Sequence, residues 1–183
     1  MIMIEDSPMY VGYTDHCVTS LREFLVVYGG FDDETCRECY ELLIYNTLSG
    51  IWRSYMPPID IKSTPLYSSI CANGNMVYIF GGSRSRDDDQ PTNSLVRFDI
   101  SNHVWDILFP HTEVFNESTP NLWLKNLLFY HCGSLYLIGI NEEHELSPIN
   151  KFSLETSTWS LVHESGEKPT LICQIFGTVY KDL

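Results

Sequence analysis

The sequence predicts an all-β chain in which one four-stranded unit is used three times and begun a fourth time. Two observations carry this. An apolar, β-forming run ending at glycine recurs along the chain, and a fixed aromatic–Trp spacing follows each run. No segment sustains a 3.6-residue apolar period, so helix should be scarce.

The first unit holds Leu25-Val26-Val27-Tyr28-Gly29-Gly30, then Tyr45-Asn46, then Trp52. The second holds Met76-Val77-Tyr78-Ile79-Phe80-Gly81-Gly82, then Phe98-Asp99, then Trp105. The third holds Leu135-Tyr136-Leu137-Ile138-Gly139-Ile140, then Phe152-Ser153, then Trp159. The three Trp residues are 53 and 54 positions apart, and the aromatic lies seven before each. An aliphatic residue (Leu42, Leu95, Ile149) lies ten before each Trp. The residues between aromatic and Trp are turn-formers, which gives strand, tight turn, strand. A turn near Leu21-Arg22-Glu23, Ala72-Asn73-Gly74-Asn75 and Cys132-Gly133-Ser134 sets off one more strand before each glycine run.

In the first unit the four strands fall at about 13–20, 24–28, 41–46 and 51–55. Residues 1–9 read as a tail, and the rest of the chain, 10–183, as one repeat domain. The units span about 10–55, 66–108 and 124–162, and 170–183 reads as the start of a fourth. Pro-rich connections, 56–65 and 109–120, separate them.

A unit of about fifty residues with four strands, Gly-Gly after the second, and an aromatic and a Trp at fixed spacing resembles the kelch repeat. The resemblance covers roughly Tyr10 to Val162. It implies a kelch β-propeller in which each repeat is one blade: three blades and the start of a fourth, an incomplete ring. It implies structural roles for Gly29, Gly30, Tyr45, Trp52, Gly81, Gly82, Phe98, Trp105, Gly139, Phe152 and Trp159. Three departures stand out. Ile140 replaces the second glycine of the third repeat, and Asn46 and Ser153 replace the usual acid after the aromatic, which reads as drift in those blades. Since a propeller closes with four to eight blades, the expectation is a piece of a larger propeller, with blades before Met1 or after Leu183, or a ring completed by another chain.

Lys plus Arg total 11 and Asp plus Glu 24, a net charge of −13. That argues against nucleic acid or an anionic membrane as the main partner, since both attract a basic surface. The N-terminus lacks the basic and apolar regions of a signal peptide. No apolar run approaches a membrane span. The six cysteines have no disulfide-framework spacing, so free thiols and a cytoplasmic or nuclear location are expected. Asn116-Glu117-Ser118 matches a glycosylation sequon that such a location would leave unused.

No catalytic residue, metal site or cofactor is predicted. Cys36-x-x-Cys39 has no second pair or spaced histidines to complete a zinc site. Asp87-Asp88-Asp89 lacks the alternating ligands and glycine of a calcium loop. The glycine pairs are not followed by Gly-Lys-Ser/Thr or by a helix, so they do not cradle phosphate. No Gly-x-Ser-x-Gly elbow occurs. What remains is a binding surface. In a four-stranded meander the loop after strand two lies on the same face as the loop to the next blade. These are the long loops, 31–40, 83–93 and 141–147, with 56–66 and 109–123. Long loops on a rigid scaffold are where binding concentrates.

The predicted binding residues are Arg37, Arg84 and Arg86, cations on an acidic face whose forked donors match a carboxylate, including a peptide C-terminus. Pairing of Arg84 and Arg86 with Asp87–Asp89 is the competing reading. The expected function is therefore a non-catalytic protein–protein interaction module with a protein or peptide ligand. The run from Arg37 to Pro57 resembles kelch proteins that act as substrate receptors of cullin–RING ubiquitin ligases. That resemblance implies an elongin or cullin partner bound through residues not in this chain. The alternative is a cytoskeletal or scaffold kelch protein binding actin or another partner.

Overall fold

The computed structural model describes residues 12–58, 66–83, 91–114, 116, 118–121, 125–140, 145–169 and 177. Every regular element among them is a strand. In chain order these begin with β1 (Tyr13–Thr14), β2 (Cys17–Leu21), β3 (Phe24–Tyr28), β4 (Phe31–Asp32), β5 (Arg37–Glu38), β6 (Leu42–Asn46) and β7 (Ile51–Tyr55). Next come β8 (Ser69–Asn73), β9 (Met76–Phe80), β10 (Leu95–Asp99) and β11 (Val104–Phe109). The last four are β12 (Asn126–His131), β13 (Ser134–Gly139), β14 (Asn150–Ser153) and β15 (Thr158–Leu161).

They form three antiparallel four-stranded sheets in sequence order, β2-β3-β6-β7, β8-β9-β10-β11 and β12-β13-β14-β15. These are three consecutive propeller blades. Their first strands neighbour one another in the order β2, β8, β12, so those strands line the inner side of the arc. The predicted tail 1–9 and the fourth-blade segment 170–183, except Gly177, lie outside the described residues.

Strand alternation divides each blade into two faces. In β9, Val77 and Ile79 join Val26, Tyr28, Leu42 and Ile44 of blade 1 in one core, with Val96 and Phe98 from β10. Tyr78 and Phe80 point the other way and pack with Leu128, Leu135, Leu137, Phe152 and Trp159 of blade 3. The hydrophobic core is therefore split into two slabs, one between each pair of blades.

The recurring aromatic and Trp are directly opposed across the third and fourth strands, as Tyr45↔Trp52, Phe98↔Trp105 and Phe152↔Trp159. The pairs of blades 2 and 3 face the preceding blade. Trp105 lies 6.4 Å from Tyr28 and 4.9 Å from Phe98, and Phe98 lies 5.0 Å from Tyr55 (ring centroids). Trp159 meets Phe80 and Phe109 edge-on at 5.7 and 6.2 Å. Tyr45 and Trp52 sit on the face of blade 1 turned away from blade 2, and both are half-buried.

The turn between these two strands is the same in all three blades. The residue two before Trp is left-handed: Gly50 at φ 70°, His103 at 56°, Ser157 at 55°. Its N–H donates to the carbonyl of Asn46, Asp99 or Ser153. The side chains of those three residues accept further backbone N–H groups: Leu48 and Ser49 on Asn46, Ser101 and Asn102 on Asp99, Thr156 on Ser153. Asn46 and Ser153 are therefore functional substitutes for the acid, because the position needs an acceptor and not a charge.

Three local features differ from the sequence expectation. The first strand of blade 1 begins at Cys17, not Tyr13. Asp15 is left-handed at φ 59°, which breaks the strand, and Tyr13–Thr14 turns aside to pair with Phe31–Asp32. With β5 these make a small sheet, β1-β4-β5, so the loop 31–40 is largely a short hairpin. In blade 3 the Ile140 substitution coincides with a different backbone route. Gly29, Gly30, Gly81 and Gly82 are all at positive φ, whereas Gly139 and Ile140 are not. There β13 runs straight through Gly139, and Ile140 bridges to Leu146. At Gly30 (φ +111°) an added Cβ would stand 3.0 Å from both His16 Cβ and the Thr14 carbonyl, so the small sheet's approach requires glycine there.

The thiols of partly buried Cys17 and buried Cys71 are held protonated by desolvation, with Cys71 pushed up to about 12. A thiol raised in the fold leaves stability intact below its unfolded value, about 8.5, and erodes it as pH climbs from there toward 12. Unfolding free energy from urea titration should therefore fall steeply above pH 9, by up to about 1.4 kcal/mol per pH unit for each thiol, and Cys71→Ala should shallow that slope. Trp159, 8% exposed, should cost ~3–5 kcal/mol as Trp159→Ala. Half-buried Trp52 should cost about 1–2 kcal/mol as Trp52→Ala, both read from urea unfolding.

Candidate interaction surface

Strand direction places the long connections at one end of the blades. β3, β9 and β13 run toward that end, and β7 and β11 leave through it toward the next blade. The hairpins β2–β3, β6–β7 and β10–β11 all close at the other end.

Among the described residues, buried polar groups tie connections down at the long-loop end. Asn93, fully buried, makes four hydrogen bonds. Its Nδ2 donates to the carbonyls of Thr112 (3.2 Å) and Pro120 (3.4 Å). Its Oδ1 accepts from the Thr112 N–H (3.0 Å) and is 3.1 Å from His111 Nδ1. One side chain thus anchors both ends of the connection between blades 2 and 3. In blade 3, Asn150 Nδ2 reaches the Ser118 carbonyl (3.3 Å) of the same connection. Between blades 1 and 2, Leu66 and Ser83 exchange both backbone hydrogen bonds, and the Tyr67 N–H donates to the Asp15 carbonyl. Tyr67 and Asp15 occupy matching left-handed positions before β8 and β2.

Of the predicted binding residues, Arg37 lies on the exposed edge strand β5, opposite Asp32. The Asp32 carboxylate is engaged elsewhere. It accepts the Thr35 hydroxyl and the N–H groups of Glu34 and Thr35, and the Thr35 hydroxyl is the main reason that its pKa is lowered. Arg37 makes no ion pair among the described residues. Arg84 and Arg86 lie outside the described residues, as does loop segment 141–144. The recurring aromatics and Trp residues pack between or within blades and are not presented at this end.

Cys36 and Cys39 stand in different surroundings. Cys36 is exposed, whereas Cys39 is partly buried beside Tyr13, whose hydroxyl is pushed up to about 12 by burial and by the neighbouring thiol. Among the described residues no group of three or more His, Cys, Asp or Glu is placed to hold a metal ion.

Comparison with known proteins bears on this surface. Residues 5–182 match the family model described as the KLHDC2/KLHL20/DRC7 Kelch-repeats domain. Kelch-like protein 36 of Bos taurus is 28% identical over 177 residues, 90% of this chain and 26% of that protein. A RING finger domain and kelch repeat-containing protein of Dictyostelium discoideum is 25% identical over 148 residues, 80% of this chain and 12% of that protein. The chain thus spans about a quarter or less of the length of these relatives.

If Asn93 holds the connection, Asn93→Ala strands two carbonyls and an N–H group. It should destabilise by roughly 2–3 kcal/mol and speed amide hydrogen exchange selectively across residues 111–120.

Proposed function

This chain belongs to the kelch-repeat family, and on that premise we propose that it is a non-catalytic protein-binding module whose ligand, a protein or peptide, docks on the long-loop end. The observation that carries the reading is the asymmetry of the blades. Strand direction sends the long connections to one end of a three-blade arc, and two buried asparagines hold the described part of the connection between blades 2 and 3. Rigid presentation lowers the ordering cost of binding. Arg37 supplies an unpaired forked cation there, and Arg84 and Arg86 are placed by sequence in the matching loop of blade 2.

Within that reading, the module is the substrate-recognition propeller of a cullin–RING ubiquitin ligase receptor working in the cytoplasm or nucleus. Two things support this. The run from Arg37 to Pro57 resembles a blade of kelch domain-containing protein 10, and one relative joins a RING finger domain to kelch repeats. Elongin or cullin would then bind through residues not in this chain.

The test is affinity capture from native cells with an N-terminal tag, read by mass spectrometry, for the wild-type chain and Arg37→Glu. Elongin or cullin peptides, together with other proteins lost in the Arg37→Glu capture, are expected. Actin or other filament proteins without ligase subunits would replace the ligase reading with the cytoskeletal one. An unchanged partner list in Arg37→Glu would remove Arg37 from the binding surface.

A further inference from the structure

At the opposite end from the long loops, the gap between blades 1 and 2 opens into a cleft of about 120 Å³. For comparison, a cavity of about 150 Å³ takes up a benzene ring. Its apolar wall includes Phe24, Ile44 and Ile51 from blade 1 and Ile100 from the β10–β11 turn. Tyr55 and His103 close one side, stacked at 4.9 Å with their rings 30° apart. Ile51 remains 49% exposed at the mouth.

The polar lining is one-sided. Arg53, His103, Asn46 and Ser49 contribute, and no Asp or Glu does, in a chain with 24 acids and 11 Lys and Arg. The Arg53 side chain shares the Ile44 face of the blade, since the two are opposed across β6 and β7. Its guanidinium has no ion pair or hydrogen bond among the described residues. The imidazole nitrogens of His103 are likewise without a hydrogen bond there. Asn46 spends its Oδ1 on the turn, which leaves its amide N–H groups as donors. A cleft with apolar walls, room for one side chain, an unpaired guanidinium and no carboxylate at its polar edge is complementary to an anion carried next to an apolar group.

We propose that this cleft is a second peptide site, distinct from the long-loop surface, which takes an acidic side chain adjacent to a small aliphatic one from a partner protein. The carboxylate pairs with Arg53, and the apolar neighbour enters between Ile51, Ile100 and Tyr55. This goes beyond the long-loop reading and does not depend on it.

Two capped tetrapeptides test it by NMR titration of the full-length chain: glycyl-glutamyl-valyl-glycine and the same peptide with glutamine for glutamate. The glutamate peptide should shift amide signals of residues 24, 44–53 and 100–103, and the glutamine peptide should bind about tenfold more weakly. Arg53→Leu should bind both peptides at the weaker level. Ile51→Glu, an exposed substitution that places an acid at the mouth, should abolish binding without unfolding the chain. Equal binding of the two peptides, unchanged discrimination in Arg53→Leu, or shifts confined to residues outside the cleft would overturn the proposal. Each of those outcomes leaves the Arg37 capture result standing, so the two sites fail separately.

Discussion

The constraint on which this structure depends is that no blade buries its own aromatic pair. Phe98 and Trp105 are covered by Tyr28 and Tyr55 of the blade before, and Phe152 and Trp159 by Phe80 of the blade before together with the Phe109 ring. A four-stranded sheet has two apolar faces and only its inner and outer edges to give to water. Stacking sheets face to face is what removes both faces from solvent. The continuous apolar run of β9 follows directly, because the central blade must be apolar on both sides. The tight turns satisfy their own backbone groups through Asn46, Asp99 and Ser153, and the first residue of each also donates to the adjacent hairpin.

Much of this was legible in the sequence. Strand positions followed from the aromatic–Trp spacing because the spacing is itself a turn plus two paired strands, and β3, β6 and β7 lie within one residue of their expected bounds. What escaped is informative. The start of β2 was misplaced because a single left-handed Asp15 interrupts a run whose composition reads as continuous strand. The hairpin within 31–40 was hidden because its pairing partner, Tyr13–Thr14, is remote in sequence. Asn93 gave no signal, since its partners lie 18 to 27 residues ahead. Arg53 could not be distinguished from a solvent-facing strand residue, because the wall opposite it comes from another blade's turn.

The departures from the repeat divide into two kinds on structural grounds. Asn46 and Ser153 keep the chemistry of the position they occupy, as acceptors for turn N–H groups, and change nothing in the backbone. Ile140 does not. A β-branched residue is costly at the positive φ that Gly30 and Gly82 adopt, and the third blade takes another path through that point. Sequence deviation alone ranks these substitutions equally, whereas the physical role of each position separates them.

The packing between blades has one further consequence. The face that carries the aromatic and Trp meets a different face of its neighbour, never a copy of itself. Such a contact is heterologous: the partner's far side is always ready to receive another unit, and nothing in the chemistry of the joint counts how many have been added. Blade number in such a ring is therefore a matter of angle, the wedge set by strand twist and by the bulk of the side chains between sheets, and not of recognition. Evolution can lengthen or shorten a chain of this type by whole repeats without inventing a new interface, provided the wedges still sum to a circle.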